Sequence, residues 1–200
     1  MTETMNKSMK KLVLIIFALT LPLVLHAQKE VGTTTIYPRL GLNWSKFTHD
    51  GVIGSQEGEY YDSKYRMGFT GGAEVQHQFS NIIAGSIGAL YSHQGTDYED
   101  MPYTKLSMKT DNILVPVLIV ATTRVGLNFK LGVQPEFIMH SNADYVLNKV
   151  NLSIPVGLAY EWNHIALDVR YNIGDKDGNS YGKASHGGAF LVTLGYGFDF

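Results

Sequence analysis

From about residue 36 to its last residue, the chain alternates apolar and polar side chains with a period of two, the pattern of β-strands with two unlike faces. The final stretch is clearest. Phe190, Val192, Leu194, Tyr196, Phe198 and Phe200 fall on one face, with Leu191, Thr193, Gly195, Gly197 and Asp199 on the other. Ile165, Leu167, Val169 and Tyr171 alternate with Ala166, Asp168, Arg170 and Asn172. Leu152 to Trp162, Val125 to Gln134, Arg66 to Val75 and Ile83 to Ser92 behave alike, and a first strand runs near Ile36 to Phe47 with Leu40, Leu42 and Trp44 outward. Asn112 to Ala121 is apolar on both faces; its length and β-branched content make it a strand, with its facing open. About eight strands result. Several exceed the usual five or six residues of soluble sheets and match the roughly 9–11 residues of a tilted membrane strand.

The connections alternate too. Ser80-Asn81, Thr122-Thr123 and Asn163-His164 are short turns, separated by long polar stretches near 48–64, 95–108, 140–150 and 174–187. Short turns at one end and long loops at the other are the layout of bacterial barrels, and an even strand count leaves both termini in the periplasm. Alternation alone does not tell inside from outside. Two features decide for a membrane barrel: the polar face is rich in Gly, Ala and Ser with sparse charges, and aromatics sit toward strand ends on the apolar face. Trp44, Tyr91, Tyr160, Trp162, Tyr171, Tyr196 and Phe198 form the expected girdle. The predicted fold is an all-β, antiparallel, up-and-down transmembrane β-barrel.

The segment before the alternation reads differently. Lys7, Lys10 and Lys11 precede an uncharged apolar run, Leu12 to Leu25, which ends in Leu25-His26-Ala27 before Gln28. That is the layout of a secretory signal peptide over 1–27, leaving 28–200 as the barrel domain; Met1 and Met9 both remain as start sites. Composition adds exclusions. A net charge of -2 gives no basic field for nucleic acid, and the absence of Cys excludes disulfides and thiolate chemistry. The 44% hydrophobic content resembles a soluble protein, but a barrel whose two faces alternate averages to the same value.

Tyr37 to Trp44 (YPRLGLNW), Asn112 to Val117 (NILVPV), Val125 to Pro135, Gly157 to Asp175 and Leu194 to Phe200 (LGYGFDF) carry a resemblance. On these residues the chain resembles the small outer-membrane β-barrels of Bacteroidetes, the porin-family or PorT-like group. Leu114 stands where the secretion-associated subgroup often has an acid, two residues before Pro116. The resemblance implies a place in the outer membrane, contact with its lipid, and help from the barrel-assembly machinery. Tyr196, Phe198 and Phe200 are the C-terminal assembly signature.

Candidate chemistry lies in four places. Arg39, Arg66, Glu74, Lys130, Glu136, Glu161, Asp168, Arg170 and Asp199 are expected to form a lumen charge network, because an eight-stranded interior is just filled by side chains and buried charges must pair. Asp50, Glu57, Glu59, Tyr60, Tyr61, Asp62, Asp97, Tyr98, Glu99, Asp100 and Tyr103 give acidic, aromatic loops, suited to an envelope protein or glycan partner. Asp175 to Asn179 fails the calcium-loop pattern, with Ser180 at the glycine position, and reads as a surface turn. Ser92-His93, His140-Ser141 and Ser185-His186 are sequence neighbours, so each pair points to opposite sides of its strand and makes no dyad. No cofactor, metal or enzyme activity is expected. The expected role is structural or interactive; a small-solute porin or transport and secretion accessory, and a lipid-modifying enzyme, are the alternatives.

Overall fold

A computed structural model describes residues 29–48, 62–100, 104–142, 150–174 and 185–200, and there the period-two pattern becomes a single antiparallel sheet. Its strands are β1 (Thr34–Thr48), β2 (Asp62–Gln78), β3 (Ile83–Asp100), β4 (Thr104–Leu114), β5 (Val117–Thr122), β6 (Leu127–Ser141), β7 (Val150–Trp162), β8 (Ile165–Gly174), β9 (Ser185–Tyr196) and β10 (Phe198–Asp199). Two of these continue their predecessors. β4 and β5 both lie between β3 and β6, broken at Val115 and Pro116. Pro116 has no N–H to give the ladder, yet its carbonyl accepts from Gly88 N at 3.0 Å and Val115 N donates to Pro135 O at 2.9 Å, so pairing passes the gap. β9 and β10 both pair with β1 and are divided at Gly197. Ten segments thus make eight staves, and β1 joins the last of them to close the barrel without a free edge.

The three short turns, the start of β1 and the end of β10 share one end, here the turn end. Asn163 (φ 46°) and His164 (φ 67°) make the two-residue turn from β7 to β8, with Trp162 opposite Ile165. Both central residues need positive φ, which Asn tolerates and which costs His more. The turn expected at Thr122-Thr123 is longer: Val125 belongs to it, and Thr123 N reaches Leu127 O at 3.0 Å.

At the opposite, loop end the sequence reading is corrected. The polar stretch at 95–108 is largely ladder: β3 and β4 stay paired out to Asp100 opposite Thr104. Beyond a lipid band neither face has to be apolar, so the alternation fades while hydrogen bonding goes on. Ser107 Oγ bonds Asp97 at 2.7 Å, and Thr96 Oγ1 donates to Lys64 O at 2.9 Å.

The facing is inside-out relative to a soluble barrel. Leu40 (69% exposed), Ile119 (69%), Leu131 (57%) and Leu194 (56%) point outward, while Arg39, Glu74, Asp168 and Arg170 are all buried within. The open question of strand 112–121 resolves the same way: Asn112, Leu114, Leu118 and Val120 point inward on one continuous parity, Val117 and Ile119 outward. Aromatics form two belts. Trp44, Phe190 and Tyr171 are laterally paired toward the loop end, with Phe69 and Tyr91 nearby at 5.6 Å between ring centroids. Tyr160, Trp162, Tyr196, Phe198 and Phe200 are exposed toward the turn end. From Phe190 to Phe198 the wall advances about 27 Å at ~3.4 Å per residue, or roughly 20 Å once tilted, close to the ~25 Å apolar band of such barrels.

Candidate functional site

Inward parity on β1, β2, β6 and β8 brings Arg39, Glu74, Lys130, Asp168 and Arg170 together in the lumen, all buried. Glycines on neighbouring staves make the room. Gly88 lies beside Glu74, Gly157 between Lys130 and Arg170, and Gly72 and Gly195 flank Arg39. A Cβ at Gly157 or at Gly88 would come within 2.6 Å of the Arg170 or Glu74 Cγ respectively. Gly157→Val is therefore expected to cost about 1–3 kcal/mol through overpacking. Urea unfolding of the refolded barrel measures it, and an unchanged midpoint would mean a loosely filled lumen.

Asp168 holds the directed bonds. Lys130 Nζ donates to its Oδ2 at 2.5 Å, and Arg170 Nε and Nη2 reach its two oxygens at 2.8 and 2.9 Å. Glu74 is held by charge proximity instead: Arg39 Nε at 2.9 Å, Arg170 Nη2 at 2.5 Å and Lys130 Nζ at 3.5 Å are ion pairs without hydrogen-bond alignment. Arg39 also lies 3.4 Å from Asp168. Three cations thus surround two carboxylates.

The rest of the expected network lies elsewhere, because parity fixes a side chain's face and not its height. Glu136 is buried with Ser153, whose Oγ is 2.7 Å away, and Gln134. Arg66 pairs with the partly exposed Asp97 at 2.7 Å near the loop end. Glu161 and Asp199 sit at the turn-end mouth, where Lys29 Nζ meets them at 3.0 and 2.6 Å. Tyr37 joins mouth to centre: its hydroxyl donates to Glu161 at 2.7 Å, and its ring lies 4.8 Å from Lys29 Nζ and 5.0 Å from the Arg39 guanidinium. The surplus positive charge of the centre and the surplus negative charge of the mouth cancel. Sequence reasoning missed Lys29, Tyr37 and Asp97 as partners; Tyr37 shares the parity of Arg39, and a buried Tyr hydroxyl needs an acceptor.

Two apolar clusters fill further parts of the interior: Leu90, Leu114, Ala189 and Leu191, and Ala84, Leu118 and Val120. All seven are at most 2% exposed, so a water-sized sphere reaches almost none of their surface.

Outside the wall, at the loop-end belt, Asp111 accepts from Tyr91 OH at 2.7 Å and lies 2.7 Å from His93 Nδ1. Ser92 and Ser141 are buried while His93 and His140 are not, so the wall divides both neighbouring pairs, and among the described residues no serine hydroxyl bonds His93. Among those residues, too, no three His, Asp or Glu are placed to hold a metal. The leader at 1–27, the turn Asp175 to Asn179, and the loop positions Asp50, Glu57, Glu59, Tyr60, Tyr61 and Tyr103 lie outside the described residues, as do the side chains of Asp62, Tyr98, Glu99, Asp100, Ser185 and His186.

The profile of a family described as "Outer membrane protein beta-barrel domain" matches residues 26–174. No curated protein sequence matches the chain. Among solved structures, the Yersinia pestis attachment invasion locus protein Ail, in complex with the heparin analogue sucrose octasulfate, is similar with a TM-score of 0.51 at 14% identity, over 84% of this chain and 100% of its own. OprG from Pseudomonas aeruginosa gives 0.49 at 12% identity over 87% and 98%. AlkL in lipid bilayers gives 0.46 at 14% over 87% and 93%. At such identities the likeness is one of fold.

Proposed function

This chain belongs to the outer membrane protein beta-barrel domain family, and from that premise we propose that it is an integral barrel with a filled lumen, acting through its loop end and not by passing solute. The observation behind this reading is the charge cluster contributed by β1, β2, β6 and β8, buried and mutually paired across the interior. A solute path favours one dominant sign of charge and open space. This lumen balances its signs and is packed with side chains. The protein is a bacterial outer-membrane component with both termini in the periplasm, of the Bacteroidetes porin-family or PorT-like kind. Its partners are membrane lipid, the assembly machinery during insertion, and an envelope protein or glycan at the loops. In this reading the barrel carries no catalysis, and the His93–Asp111 pair is a contact of the outer wall.

Planar-bilayer recording of the purified barrel tests the reading. Insertion without stable conductance is the expected outcome. A steady, sizeable open channel would sink it in favour of the small-solute porin.

A further inference from the structure

At the turn-end mouth the geometry points to a binding site for a primary ammonium group, filled from within the same chain by Lys29. Lys29 belongs to no strand, so no ladder dictates where its side chain goes. A turn brings it back: Gly32, at φ +93°, donates to Gln78 O at 2.8 Å, and Thr33 N to Glu30 O at 3.1 Å. The side chain is then only 11% exposed. An ammonium has three N–H donors and no acceptor. Its three nearest oxygens come from three staves: Thr35 Oγ1 at 2.6 Å, Asp199 Oδ1 at 2.6 Å and Glu161 Oε1 at 3.0 Å. The Tyr37 ring supplies a fourth side at 4.8 Å.

The acceptors are held independently of Lys29. Glu161 takes the Tyr37 hydroxyl on its other oxygen, Thr35 donates to Asp199 at 2.5 Å, and His164 Nδ1 lies 3.5 Å from the second Asp199 oxygen. Emptied of Lys29, the mouth keeps two fixed carboxylates, a hydroxyl and an aromatic face. It then accepts another primary amine, a class that includes a lysine of a neighbouring envelope chain. Three donors in a compact head distinguish that class from a quaternary ammonium, which has none. The site does not depend on what the loop end binds or on whether the lumen conducts.

The test is chemical rescue. Lys29→Ala in the refolded barrel is expected to lower the thermal midpoint by roughly 5–10 °C. About 100 mM n-propylammonium chloride should restore at least half of that shift by binding the folded state. Equal tetramethylammonium or sodium chloride should not. Lys29→Gln, one atom shorter, polar and uncharged, supplies a second background should the Ala variant refold poorly. Adding Glu161→Gln should abolish the rescue. The proposal fails if all three salts act alike, if neither Lys29 variant shifts the midpoint, or if rescue survives Glu161→Gln.

Discussion

Asp168→Ala is expected to destabilise the refolded barrel by about 3–5 kcal/mol, the cost of leaving buried charges without their partner. Arg39, Lys130 and Arg170 would share Glu74 alone, and the directed bonds of Lys130 and Arg170 to Asp168 would go. Asp168→Asn should fall between, since it keeps the volume and one acceptor but no charge. The double change Asp168→Ala with Lys130→Met should recover part of the loss, because losing one cation with one carboxylate returns the cluster to its original surplus of one positive charge. Equilibrium urea unfolding in lipid vesicles reads all three. A loss below about 1 kcal/mol for Asp168→Ala would mean that water enters and screens the cluster, contrary to a dry lumen.

Leu158→Arg on the other side of the wall should cost about 2–4 kcal/mol, against about 0–1 kcal/mol for Tyr160→Arg, which lies nearer the interface. Leu158 faces outward between the belts, beside Phe129 and Val169 on the adjoining staves. Depth in the hydrocarbon sets the difference, so equal costs at the two positions would contradict the placement of the lipid band. The chain has no Cys, which makes single labels simple to place. Labels at positions 167 and 169 should be quenched by lipid-soluble agents and those at 168 and 170 should not.

The staves were legible wherever the two faces differ in polarity. Leu131 beside Lys130 and Val169 beside Arg170 declare inside and outside from sequence alone. In strand 112–121 the contrast disappears, because Leu114, Leu118 and Val120 meet an apolar sector of the interior while Val117 and Ile119 meet the outside; hydrophobicity there carries no direction. The break at Val115 and Pro116 was equally silent, since a two-residue gap leaves parity intact. The charged residues of the site could be read one by one, but not their grouping. Their separation into centre, mouth and loop end depends on register, as Arg66 and Glu136 illustrate. Lys29 gave no signal, because it precedes the alternation and its position follows from a turn at Gly32.

The seam between β1 and the last stave joins the first and last described strands: Thr34 N meets Phe200 O at 3.2 Å, and Phe200 N meets Thr34 O at 2.8 Å. A ladder closed in this way is a ring, and a ring has no intrinsic start. In the finished wall the seam is one ladder among equals, no different in kind from the one bent at Asn163 and His164. Only separation along the sequence sets it apart, since β1 and the β9–β10 stave are the most distant pair of neighbours in the wall. Its closure spans the longest stretch of chain and so carries the largest loop entropy of any ladder in the wall.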